Sequence, residues 1–249
     1  MTTHLTDAPG ATLAASPVVS SPASPAPMTP FQAMLAELEV GAAIDARRAL
    51  AKIAAAGPGA RGLFIDCGSN LGQGYKQFAR HFLPSHFDYI LIEPNPNCLL
   101  ELKRLAALAD RPHEILAQAA STHTGSVKFF GLEQDPTSQG GSMLAEHNSR
   151  YYAADDQRAL EVPCFSLAEL IRTRREGYAS VVLKLDIEGG EYEVLPDLIA
   201  QQMHLVLDAA YIEFHSQYMA EPKATGYRQL EAAIRQKLTQ DRVPYRIWI

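Results

Sequence analysis

From Leu63 onward the chain alternates short apolar runs with longer stretches of helical periodicity, and few folds accept that pattern. Leu63–Asp66, Tyr89–Glu93 and Glu114–Gln118 read as strands, separated by predicted helices over residues 74–82 and 96–108. Pro96 falls in the first turn of the second helix, where a missing N–H costs nothing. Val127–Phe130 reads as an extra strand after the Thr124-Gly125 turn. Val162–Phe165, Val181–Ile187, Val206–Phe214 and Tyr245–Ile249 continue the strand series, with helices predicted from Ser166, from about Glu191 and over residues 223–239. The run Val181-Val182-Leu183 is apolar throughout, which suits the buried centre of a parallel sheet. Strands joined by helices require right-handed crossovers, so the expected fold is a doubly wound, mostly parallel α/β sheet.

Before this core stand two segments of different character. Residues 1–30 carry Pro9, Pro17, Pro22, Pro25, Pro27 and Pro30 among Ala, Ser and Thr, and are expected to be a disordered tail. Residues 31–60 read as a helical segment with Met34, Leu35, Leu38, Ile44, Leu50 and Ile53 as its apolar positions, ended by Pro58-Gly59. The main α/β domain is then residues 61–249. Within it, residues 131–160 are polar and Gly/Ser-rich, a loop long enough to expect a functional role, with Arg150, Tyr151 and Tyr152 suited to packing on a sugar ring.

A formal net charge of −6 argues against a nucleic-acid binder, which shows a basic face. Cys67, Cys98 and Cys164 are too few and too scattered for a disulfide framework or a zinc site. There is no apolar run of membrane-spanning length and no secretory signal pattern, so a cytoplasmic location and no membrane span are expected.

In open α/β sheets ligands bind beyond the carboxyl ends of the strands. Asp66, Glu93 and Asp186 each close an apolar strand, and Glu213 and His215 close another. Capping explains any one such residue, but explains the set poorly. Gly68, Gly72 and Gly74 give the spacing G-x-x-x-G-x-G, not the G-x-G-x-x-G that brings a pyrophosphate to a helix N-terminus. A nucleoside without pyrophosphate is the better fit, and an NAD-linked oxidoreductase is disfavoured. Glu93, ending the second strand, is placed to accept hydrogen bonds from both ribose hydroxyls.

The stretch Lys184-Leu185-Asp186-Ile187-Glu188-Gly189-Gly190-Glu191 is the third signal. Strand alternation puts Lys184, Asp186 and Glu188 on one face, bringing two carboxylates together. Such a pair raises one pKa and makes a base, or holds a divalent cation. Glu188 and Glu191 serve equally well to complement the start of the next helix. His215 competes with Glu188 for a general-base role, as a neutral imidazole at a strand end.

Asp66-Cys67-Gly68-Ser69-Asn70-Leu71-Gly72, Ile92-Glu93-Pro94-Asn95, Lys184 to Glu191 and Ile212-Glu213-Phe214-His215 together resemble the FkbM family of S-adenosylmethionine-dependent methyltransferases, over roughly residues 62–216. The resemblance implies a Rossmann-like class I methyltransferase fold, S-adenosyl-L-methionine as cofactor, and O-methylation of a hydroxyl on a sugar, glycan or glycosylated metabolite. Ser69 stands where the family often has alanine. Carried over by position, Asp66, Gly68, Asn70 and Gly72 surround the methionine part of the cofactor. Glu93 holds the ribose, and Pro94, Asn95, Ala119 and Ala120 lie beside the adenine. Asp186 lies near the transferable methyl group, with Glu188 next to the acceptor. The other class of function is a binding or scaffold protein that keeps the fold without turnover. The intact acidic and glycine positions weaken it.

Overall fold

The computed structural model describes residues 28–109, 113–132, 141–145, 155, 157–219 and 221–248. Residues 1–27 of the expected tail, and the expected lid residues Arg150, Tyr151 and Tyr152, lie outside the described residues.

The first described helix, α1 (Pro30–Ala56), starts on a capping box: the Thr29 side chain accepts from the Gln32 amide, and the Gln32 side chain accepts from the Thr29 amide. Its buried stripe is Leu38, Ala42, Ala46, Ala49 and Ile53, whereas Ile44 faces outward at 41% exposure. The small alanines, not the larger side chains alone, let the helix lie close against the sheet.

The central sheet has six parallel strands in the order β3-β2-β1-β7-β8-β9. These are β1 (Gly62–Cys67), β2 (Phe87–Ile92), β3 (Glu114–Leu116), β7 (Ser180–Leu185), β8 (Ala209–Ile212) and β9 (Tyr245–Ile247). Strand order reverses between β1 and β7, which is where a doubly wound sheet opens a crevice. Alternation sends Leu63, Ile65, Leu183 and Leu185 into a core with α4 (Leu167–Arg174), α5 (Glu191–Ala200) and α6 (Ala224–Gln240). Phe64, Val182 and Tyr211 point the other way, into a second core with α1, α2 (Gln73–Phe78) and α3 (Leu99–Ala107). Helices on both faces confirm the doubly wound reading.

Several predicted boundaries shift. The apolar run expected as one strand over Val206–Phe214 divides: a 3-10 turn takes Met203–Val206, and the strand is only Ala209–Ile212. Ala119–Ser121 (β4), Gly125–Phe129 (β5) and Leu160–Ser166 (β6) leave the main sheet for a separate three-stranded sheet, ordered β4-β6-β5. That small sheet forms one wall over the carboxyl edge of the large one.

Candidate functional site

Register fixes where the strands stop. Cys67 pairs with both Ile92 and Leu185, Leu185 with Ile212, and Ile212 with Ile247. The next residue of each strand is therefore one row across the sheet edge: Gly68, Glu93, Asp186, Glu213 and Trp248. Backbone bonds hold the row, from the amides of Gly68, Asp186, Glu213 and Trp248 to carbonyls of the adjacent strands. All five line a cavity of about 300 Å³ at this edge.

On the β2 side, Glu93 is 6% exposed, and each carboxylate oxygen accepts one backbone amide: Oε2 from Asn70 and Oε1 from Asn95, both at 2.8 Å. Burial pushes its pKa up to about 7, and those two amides oppose the rise. Asn70 is presented by a left-handed turn (φ 45°) in which its own Oδ1 accepts the Leu71 amide. Pro94, Asn95, Ala119 and Ala120 line the same end of the cavity, with Phe129 and Met143 from the overlying wall.

The glycines divide in role. At Gly68 (φ +75°) a Cβ would lie 1.7 Å from the Asp186 carbonyl oxygen, so only glycine lets the ends of β1 and β7 come this close. At Gly72 (φ +81°) a Cβ would meet the Leu105 side chain at 2.2 Å, and Gly72 is not part of the cavity lining. Asp66 is also absent from the lining: it is fully buried, 3.4 Å from the ammonium of Lys184, itself 1% exposed. Lys184 Nζ lies 3.0 Å from Asp186 and donates to the Gly68 carbonyl at 2.7 Å, with its pKa driven upward by the two carboxylates against burial.

On the β7–β8 side the carboxylates converge, but not by strand alternation. β7 ends at Leu185, and Glu188 reaches the site through a left-handed turn (φ 53°). Glu191, 0% exposed, pins that turn by accepting the amides of Ile187 and Gly189. His215 is buried among them: Nδ1 lies 3.2 Å from Glu191, and Nε2 lies 3.4 Å from Glu188 and 3.7 Å from both Asp186 and Glu213. Burial opposes its charge, but these carboxylates, Glu191 foremost, raise its pKa to about 10. The imidazole is thus a cation at neutral pH, where the sequence alone suggested a neutral ring. Burial lifts Glu188 to about 8 and Glu213 to about 7, so these two carboxyls titrate in the working range instead. Asp186, Glu188 and His215 each offer a ligand atom within 4.8 Å of one another, so a divalent cation is a second use of the same groups if His215 gives up its proton.

The structure thus brings Gly68, Asn70, Glu93, Pro94, Asn95, Ala119, Ala120, Asp186 and Glu188 to one cavity, with His215 directly behind its acidic end. Comparison with known families finds a match: the model described as the methyltransferase FkbM domain covers residues 66–242. The chain belongs to the FkbM methyltransferase family. No curated protein and no solved structure matches it. Its six-stranded parallel sheet flanked by helices is the Rossmann-like fold of a methyltransferase. The FkbM match begins after α1 and ends before Trp248, which lines the cavity. Trp248 follows its strand as Glu93 and Asp186 follow theirs; no sequence signal marks it, because it is neither acidic nor beside a glycine turn. Among the described residues no helix is long and apolar enough to cross a membrane.

Proposed function

We propose that this FkbM-family protein transfers a methyl group from S-adenosylmethionine to a hydroxyl of a sugar, glycan or glycosylated metabolite. The observation that carries the reading is one cavity with two unlike ends: a buried carboxylate at Glu93 tethered by two backbone amides, and carboxyls titrating near neutrality at Glu188 and Glu213.

The residues present fit the cofactor. Each Glu93 oxygen keeps a free lone-pair direction after accepting its amide, one for each ribose hydroxyl. Asp66 Oδ1 and Oδ2 accept no well-aligned hydrogen bond among the described residues. Gly74 of the cavity lining packs against them, and a Cβ there would lie 2.9 Å from Oδ2. A buried carboxylate beneath a residue without a side chain suits the ammonium of the methionine part. S-adenosylmethionine, when bound, supplies an electrophilic methyl group on a sulfonium.

The protein's own work is then alignment and proton removal. Asp186, fixed by Lys184, and the row of strand ends set the position of the cavity floor, so that an acceptor oxygen is oriented rather than merely held. Glu188 takes the hydroxyl proton, since a carboxyl at about 8 is ionised in part near neutral pH and basic enough, once ionised, to accept it. His215 stays protonated and stabilises the neighbouring carboxylates.

Incubation with methyl-labelled S-adenosylmethionine and a panel of hydroxylated sugars, glycans and glycosylated metabolites tests the reading. Label on acceptor oxygen is expected. Label on nitrogen would keep the methyltransferase and remove the hydroxyl acceptor; tight cofactor binding without any transfer would favour the scaffold alternative.

A further inference from the structure

Trp248 lies beyond the segment matched by the family model, yet its place in the sheet is equivalent to that of Glu93 and Asp186. Its amide donates to the Ile212 carbonyl at 2.9 Å, which sets the indole at the same edge, one strand from Glu213. The indole Nε1–H donates to Asp186 Oδ2 at 3.1 Å, and the ring lies 5.7 Å from Lys184 Nζ and 5.1 Å from Phe78. Asp186 is therefore gripped at Oδ2 by an ammonium and an indole, which turns Oδ1 toward His215.

The grip is itself anchored. Two residues back, Arg246 donates from Nε and Nη2 to Asp45 of α1 at 2.6 and 3.0 Å. Asp45 is 3% exposed and also accepts from the Tyr211 hydroxyl. Gly41 makes room for this fork: a Cβ there would lie 2.3 Å from Arg246 Nε. A buried ion pair between a helix and a short edge strand contributes little net stability for the desolvation it requires. It does fix the strand's position, and that position places Trp248.

We propose that Trp248 is a positioning residue of the transfer site: its indole N–H fixes the Asp186 carboxylate, and α1 holds the strand that carries it. The proposal rests on the methyl-transfer reading for what Asp186 does, and not for where Trp248 lies. A plain wall residue would need only the ring. A positioning residue needs the N–H, and its loss must act through Asp186.

The chain has one tryptophan, so its indole signals are Trp248 alone. In ¹⁵N-labelled protein without ligand, the single indole cross-peak is expected downfield and slow to exchange, and Asp186→Asn is expected to move it upfield. A peak that ignores Asp186→Asn overturns the proposal. Calorimetry on Trp248→Phe, which keeps a ring and removes the donor, is the second arm. S-adenosylmethionine, with its cationic sulfonium, is expected to weaken about ten-fold while S-adenosylhomocysteine weakens less than three-fold. In the Asp186→Asn background, Trp248→Phe is expected to change neither further. Equal loss for both ligands, or loss that persists in that background, reduces Trp248 to packing and overturns the proposal. An indole peak that responds to Asp186→Asn, in a protein that binds neither adenosyl ligand, supports the positioning role and refutes the methyl-transfer reading instead.

Discussion

Replacing Glu93 by alanine removes the carboxylate that follows β2 at the cavity. The two amides that now bond it, from Asn70 and Asn95, fix the plane of the carboxylate and leave one acceptor direction on each oxygen. Two ribose hydroxyls therefore lose one partner each. At roughly 0.5–1.5 kcal/mol net per bond the loss is about 1–3 kcal/mol, or roughly 5- to 150-fold in Kd for S-adenosylhomocysteine. Calorimetry measures it directly, with a 2′,3′-dideoxy analogue of the same ligand as control. The analogue cannot make these bonds, so its affinity is expected to be unchanged by Glu93→Ala. Wild-type affinity for the ribose ligand, or equal losses for both ligands, would remove Glu93 from the ribose site.

Lys184→Met leaves Asp66 and Asp186 buried without their shared ammonium, and is expected to destabilise by about 3–5 kcal/mol in urea unfolding; a loss under about 1 kcal/mol would mean the carboxyls are already neutral. Gly68→Ala puts a Cβ against the Asp186 carbonyl in a left-handed conformation, so a loss of at least about 2 kcal/mol and of ligand binding is expected. Wild-type melting of that variant would contradict the close approach of β1 and β7. For pH, Glu188 and Glu213 have folded pKa values above their ordinary ones, so the folded state keeps their protons longer and stability falls as pH rises from about 4.5 through 8. His215 works in the same direction: its contribution is full below about 6.5 and is lost as pH rises through about 10. Melting temperature is thus expected to be lower at pH 9 than at pH 6, with a shallower fall in Glu188→Gln. The rate is expected to rise with pH through about 7–8, as Glu213 and Glu188 ionise. A rising limb near pH 6.5 that survives Glu188→Gln would return the base role to a neutral His215.

The strand ends were the legible part of the sequence, because an apolar run closing on Asp66, Glu93 or Asp186 carries both burial and position in a few letters. Less visible was what each end does. Asp66 and Gly72 belong to the motif that reads as a ligand turn. One is buried against Lys184 and the other makes room for Leu105. Ser69, a departure from the family's usual alanine, ties β1 to β2 by donating to the Asp66 carbonyl and accepting the Ile92 amide. Glu188 reaches the site by a left-handed turn that alternation does not predict. The charge on His215 depends on Glu191, Glu188 and Asp186, which follow a different strand from its own, so no local pattern shows it. Trp248 was hidden for a different reason: its role depends on register with a strand some thirty-five residues earlier and on a helix at the other end of the chain.

Calorimetric titration of the full chain with S-adenosylmethionine and, separately, with NAD tests the central claim most directly. One site per chain for S-adenosylmethionine, with no heat from NAD, is the result expected from Glu93 and the glycine turn. Binding of NAD, or no saturable heat from S-adenosylmethionine up to millimolar concentration, would contradict it.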